Sequence, residues 1–302
     1  MSPRHRSIVT LLLVMTLWGS TFVVTKSAIA ELPPLTLAFA RVAIGALVLL
    51  PFAWLRRRRS AATALPWRAL AILSIVGVAL YYMLFNMSLR YTSATQGALV
   101  QSCIPAMTAL IAVLWFGERA SRTRIVGIAL SIIGVLIVFS GAPEQPGQPD
   151  HAGGAGTALL GNLLMFATVI AWGLYTSLAK RVAAFDPVVT TACITGIGAL
   201  LLLPVALFEL AGNGLPQLSI NGWLSVLYLG VLASGAAYML YNDALRHMDA
   251  SEVGVYTNLI PVVGVITGLV VLHDPLSIRA VVGGIVVMAG VWITGAERRV
   301  PT

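Results

Sequence analysis

The chain has 302 residues, of which 58% are hydrophobic and only 10% charged, with a net charge of +8. A water-soluble protein carries charge on about a quarter of its residues, so this chain lacks the polar surface to face water and its solvent is lipid. The composition therefore excludes an ordinary soluble enzyme or binding module.

Read in chain order for runs able to cross roughly 30 Å of hydrocarbon, the sequence predicts ten membrane helices. The first five are Ile8 to Ala30, Leu35 to Leu55, Trp67 to Leu89, Ala94 to Phe116 and Thr123 to Ser140. The second five are Leu159 to Ala179, Val188 to Leu210, Trp223 to Leu245, Val253 to Leu272 and Ile278 to Gly295. The segment GAPEQPGQPDHAGGAG, from Gly141, separates the two sets and reads as a flexible extracellular linker. The expected units are residues 1–140 and 157–302, joined by 141–156. Arg4, Arg6, the first apolar run and Ala28-Ile29-Ala30 also resemble a signal peptide with its cleavage site. Cleavage would leave nine helices and remove half of a repeated element, so the run is expected to remain as helix 1.

With the N-terminus in the cytoplasm, 15 of the 19 Lys and Arg residues fall on the inner side. Arg90 and Arg279 alone fall outside, and Lys26 and Arg41 lie within helices. That bias predicts a multi-pass protein of the inner (plasma) membrane with both termini cytoplasmic. The basic balance is thus topology, and no nucleic-acid partner is expected. Cys103 and Cys193 sit inside apolar runs without Cys/His spacing, so neither a disulfide, a metal nor another cofactor is expected.

The two sets of helices repeat one another. LFNMSLRYTSATQGALVQSCIP, from Leu84, returns as LYNDALRHMDASEVGVYTNLIP from Leu240, which places Asn86 and Asn242, and Pro105 and Pro261, 156 positions apart. Trp18-Gly19 with Lys26 returns as Trp172-Gly173 with Lys180, and Gly127 and Gly134 return as Gly283 and Gly290. Because each unit has five helices, the second must enter the membrane upside down. The expected fold is therefore an all-α membrane protein, ten transmembrane helices as two inverted five-helix repeats, an arrangement that marks secondary transporters.

Polar residues then mark candidate faces. Pro105 and Pro261 each interrupt a helix and release the carbonyl four residues earlier, at Gln101 and Thr257. Such breaks are tolerated in lipid only against protein or a water-lined cavity, so both prolines are candidate hinges. The candidate substrate-binding residues are Trp18, Tyr81, Tyr82, Asn86, Gln101, Trp172, Tyr175, Tyr238, Asn242 and Asn258, since amides and aromatic hydroxyls at these depths turn toward the bundle. Lys26 and Arg41 lie at similar depth toward the outer face. They either attract a carboxylate or phosphate or simply reach helix-end carbonyls. Trp67, Tyr91 and Trp223 read as interfacial belt residues. His5, His151, His247 and His273 all lie at helix ends or in loops, and without a nucleophile–base pair or metal cluster no enzyme is predicted.

The residues Trp18-Gly19-Ser20 with Lys26, Pro34 with Arg41, Pro105, Gly117-Glu118-Arg119, and Gly127 with Gly134 carry a resemblance, repeated by Trp172-Gly173, Pro261, Gly283 and Gly290. On them the chain resembles the ten-helix EamA-domain exporters of the drug/metabolite transporter superfamily. It departs at His273-Asp274-Pro275, where a Gly-Glu-Arg-like turn is usual, and at Thr195, opposite Arg41 of the first repeat. The resemblance implies a central cavity lined by helices 1, 3, 4, 6, 8 and 9, with helices 5 and 10 as peripheral supports. It also implies export of small metabolites, amino acids including aromatic ones among them. The alternatives are a multidrug or other metabolite carrier of the same fold, or a channel or lipid scramblase. Expected partners are a small-molecule substrate and membrane lipid, with the chain a monomer.

Overall fold

The computed structural model describes residues 3–59, 64–118, 120–141, 155–244, 247–248, 253 and 256–296. Among them run α1 (His5–Ala28), α2 (Pro34–Arg58), α3 (Trp67–Tyr91), α4 (Ala94–Phe116) and α5 (Arg122–Ser140). The second set is α6 (Gly156–Val182), α7 (Pro187–Asn213), α8 (Ile220–Tyr241), α9 (Leu259–Val271) and α10 (Ile278–Gly295). All but α9 are long and apolar enough to cross a membrane. Gly254 and Val255 at the expected start of the ninth helix, and nearly all of the linker, fall outside the described residues.

Lipid cannot satisfy the free N–H groups at a helix start, and the chain supplies acceptors for them. Ser93, Ser121 and Ser219 accept from the backbone N–H three residues on, and Asp186 accepts from Val188 and Val189 just ahead of α7. Two carboxylates do the same work from a distance. Glu209 of α7 accepts from Thr36 N at 2.7 Å and Leu35 N at 3.3 Å at the start of α2. Asp274, in the α9–α10 turn, accepts from Thr95 N at 2.9 Å at the start of α4. Each places negative charge at the positive end of a helix.

The packing has two-fold symmetry. α2 lies on α7, α4 on α9, and α5 on α10, so each of these helices meets its own repeat partner. The remaining contacts exchange in pairs: α1 with α9 mirrors α6 with α4, and α3 with α6 mirrors α8 with α1. The axis is visible at the α5–α10 crossing. There a Cβ on Gly127 would lie 2.7 Å from the Gly290 carbonyl oxygen, and one on Gly134 would lie 2.8 Å from that of Gly283. Adding 156 to the first member of the first pair, and subtracting it from the second, yields the other pair. Only antiparallel helices on a two-fold axis give that exchange, so the second unit is inverted relative to the first.

The apolar interior gathers around Phe22, Phe85, Leu89, Met165 and Val287, from α1, α3, α6 and α10. The outside is equally apolar: Leu200, Phe208, Ile278 and Trp292 are 70%, 83%, 82% and 71% exposed. A surface of that kind belongs in hydrocarbon. Trp67 and Trp223 are exposed at the starts of α3 and α8, as belt residues would be.

Two irregularities recur in both halves. α4 is interrupted by a turn at Ser102 and Cys103, just ahead of Pro105, and α9 is preceded by a turn at Thr257 and Asn258, just ahead of Pro261. In both turns the backbone tightens to a bond three residues back, Cys103 N to Val100 O at 3.2 Å and Ile260 N to Thr257 O at 3.1 Å. The second irregularity is a π-helical stretch, Ile75–Leu80 in α3 and Tyr228–Ala236 in α8. Under the 156-residue offset the first stretch maps onto 231–236, so the two end together and the second begins three residues earlier. Apolar periodicity gives no sign of them.

Candidate functional site

Two aromatic groups form where the π-helical stretches hand over to regular helix. In one, the Trp18 ring of α1 stands 5.2 Å from Tyr238 and 5.2 Å from Tyr241, both on the continuation of α8. In the other, the Trp172 ring of α6 stands 5.1 Å from Tyr81 of α3 and 5.1 Å from Tyr175. The groups are joined through Tyr82, whose ring stands 5.2 Å edge-on to Tyr81 and whose hydroxyl neighbours that of Tyr238. The rings of Trp18, Tyr81, Trp172, Tyr175, Tyr238 and Tyr241 are all half-buried. Packed core rings are fully covered and belt rings lie near helix ends, whereas these rings are partly open and deep in the bundle.

Polar groups hold the cluster in place. The Trp18 indole N–H donates to the Ala233 carbonyl at 3.0 Å, within the π-helical stretch of α8. Ser20 meets the Tyr228 hydroxyl at 2.6 Å at the start of the same stretch. Gln101, at the break in α4, donates through Nε2 to the Tyr81 hydroxyl and to Thr168 Oγ1, both at 3.1 Å. Trp18 and Trp172 differ here. Trp172 has no such acceptor among the described residues, so one of the two symmetric tryptophans is anchored through its indole N–H and the other is not.

The remaining candidates are more scattered. Asn86 is fully buried between α2 and α3, where its Nδ2 donates to the Pro34 carbonyl at 2.9 Å, and its role there is to hold the start of α2. Asn242 lies in the helical segment Ala237–Ala244, but its side chain is outside the described residues. Asn258 is half-buried in the turn ahead of α9 and caps no backbone N–H there. The Pro105 ring is exposed, and Pro261 lines an apolar groove of about 540 Å³ with Leu99, Ser102, Val265 and Gly284.

The two basic residues separate. Lys26 donates to the Leu89 carbonyl at 2.7 Å and the Thr92 carbonyl at 2.9 Å, so it closes the end of α3 and joins α1 to the α3–α4 turn. With Asp274 on Thr95, this seals the face of the bundle from which the linker leaves. Arg41 makes no such contact. On the opposite face Glu118 pairs with Lys180 at 2.8 Å and with Arg124 at 3.3 Å. The Lys180 ammonium in particular holds the Glu118 carboxyl below its usual range.

Sequence repeats could not have revealed Thr168, because the matching position in the first unit is Val14. The Ala233 carbonyl was equally hidden, since a backbone acceptor leaves no trace in residue type.

Inverted five-helix units around a shared aromatic site are the build of a membrane transporter. The chain belongs to the EamA-like transporter family, which matches residues 5–140 and 159–296. It is a transporter and not an enzyme. An uncharacterized transporter of Archaeoglobus fulgidus is 29% identical to it, over 95% of this chain and 96% of that one. The uncharacterized transporter YyaM of Bacillus subtilis is 28% identical, over 99% and 96%. A probable amino-acid metabolite efflux pump of Salmonella typhimurium is 27% identical, over 93% and 92%. A solved crystal structure, 18% identical and covering 95% of this chain and 97% of its own, matches with a TM-score of 0.61, a likeness of fold alone.

Proposed function

We propose that the protein exports small amphipathic metabolites, amino acids including aromatic ones, across the inner membrane by alternating access. The observation that carries this reading is the pair of half-open aromatic groups, one led by Trp18 and one by Trp172, that meet at Tyr82 in the membrane interior. Faces of this kind stack on a planar apolar side chain, while Gln101 and the tyrosine hydroxyls suit its polar end. The probable amino-acid metabolite efflux pump among the relatives supports a cargo of that class.

In this reading the units are residues 1–140 and 157–302, the linker 141–156 is extracellular, and both termini are cytoplasmic in a monomer. The sealed linker face is then the outer gate, and the site opens next toward the cytoplasm. In a chain lacking Cys103 and Cys193, a cysteine at Leu215 should label with an impermeant reagent from outside intact cells, and one at Ala64 should not. The reverse labelling would overturn the orientation. The transport reading is tested by counterflow in liposomes. Labelled L-phenylalanine should accumulate transiently and saturably against unlabelled L-phenylalanine loaded inside. Flux that rises linearly without saturation would favour a channel.

A further inference from the structure

Of the two basic residues within the membrane, Arg41 alone has neither an ion pair nor a carbonyl acceptor among the described residues. Arg41 of α2 is 3% exposed, yet none of the ion pairs involves it. Its Nη1 donates to Thr25 Oγ1 at 3.2 Å, and its guanidinium carbon stands 4.5 Å over the Tyr82 ring. The buried Nε has no acceptor.

The geometry of the guanidinium decides what is missing. Thr25 occupies Nη1, which leaves the edge formed by Nε and Nη2 without an acceptor among the described residues. That edge is the one that takes a carboxylate through two parallel bonds. Architecture does not require a cation here, because the second unit carries Thr195 at the matching position. Burying an unpaired charge costs several kcal/mol, and intramembrane charges held at such expense line substrate and ion routes. Lys26 is different, since its bonds to two carbonyls account for it.

Arg41 touches the aromatic site through Tyr82. Tyr81 and Tyr82 directly follow the π-helical stretch Ile75–Leu80. A π-bulge that migrates by one residue turns the side chains it passes by about 100°. Such a slip would swing Tyr82 aside and present the free edge of Arg41 to the cargo. We infer that Arg41 is the specificity-determining residue of this site, and that the cargo it selects carries a carboxylate. The inference rests on the aromatic site being where cargo binds.

The test uses purified full-length protein and three probes: L-phenylalanine, its carboxamide L-phenylalaninamide, and 3-phenylpropionate, which lacks the amino group. Binding is measured by calorimetry. The wild-type protein should prefer phenylalanine over the amide by roughly 10- to 100-fold, the factor expected for a charge-assisted bond. Arg41→Gln should lose that preference, binding acid and amide about equally. Arg41→Lys, which keeps the charge but not the fork, should retain part of it. If Arg41→Gln does not fold, the wild-type acid-to-amide ratio and the Arg41→Lys variant decide. Equal wild-type binding of acid and amide, or a folded Arg41→Gln that still prefers the acid, would overturn the inference. Binding of 3-phenylpropionate without phenylalanine would sink the amino-acid reading and leave Arg41 standing. Binding of neither acid would overturn both.

Discussion

Trp172→Ala is expected to cut transport by roughly tenfold or more, with the amount of folded protein near normal. The Trp172 ring contacts Tyr81 and Tyr175 and is half-buried, so truncation removes little packing. What it removes is the face on which cargo would stack, an aromatic contact of about 0.5–1.5 kcal/mol beyond the area it buries. Trp18→Ala should also reduce transport, but with a second effect. It leaves the Ala233 carbonyl without its 3.0 Å donor, so thermal stability should fall by about 1 kcal/mol, the worth of such a bond in a bilayer. Transport in liposomes, read beside fluorescence-detected size exclusion, separates the two. Heavy loss of folded protein with Trp172→Ala would place that ring in the packed core and remove it from the site.

The second large effect is structural. Gly127→Ala, Gly134→Ala, Gly283→Ala and Gly290→Ala should each destabilise the protein by about 1–3 kcal/mol, the range for overpacking a tight contact. Each new Cβ meets a backbone carbonyl oxygen across the α5–α10 crossing at 2.6–2.8 Å, and backbone cannot step aside as a side chain can. Gly196, on α7, is the control, because nothing lies within 4 Å of its Cβ position. Gly196→Ala should be neutral or stabilising by up to about 1 kcal/mol. Thermal unfolding in detergent reads all five. If the four crossing substitutions behaved like Gly196→Ala, the two-fold contact would be looser than described.

The sequence made the architecture legible because lipid removes ambiguity. Runs of apolar residues must be helices there, and an odd repeat of five helices can only be inverted. Gly127, Gly134, Gly283 and Gly290 were readable as packing residues for the same reason: few other uses exist for paired small residues in a membrane helix. The site was legible only in part. Trp18, Tyr81, Trp172, Tyr175 and Tyr238 stand together in the structure, but Asn86, chosen on the same grounds, is spent on the Pro34 carbonyl. Residue type and depth cannot tell an amide that faces an opening from one that mends a helix end. Lys26 and Arg41 illustrate the same limit, since sequence gave them equal standing and only their partners separate them. The π-helical stretches escaped entirely, because one extra residue per turn changes no residue type. Their symmetric placement is still the repeat at work, since equivalent positions in both units fold alike.

The central claim is that the two units act as mirror-image gates, and the prolines test it most directly. Pro105→Ala restores a donor to the break in α4, and Pro261→Ala does the same ahead of α9. Each should add about 1 kcal/mol of local stability, enough to move a two-state ratio about fivefold. The measurement is the labelling rate of single cysteines placed at Ser88, under the sealed face, and at Thr108, in the opposite half of α4, in a chain lacking Cys103 and Cys193. The two proline substitutions are expected to shift these rates in opposite directions, and the double variant to return part of the way to the starting rates. If both substitutions move the rates the same way, or neither moves them, the prolines are passive kinks and the two halves do not gate one another.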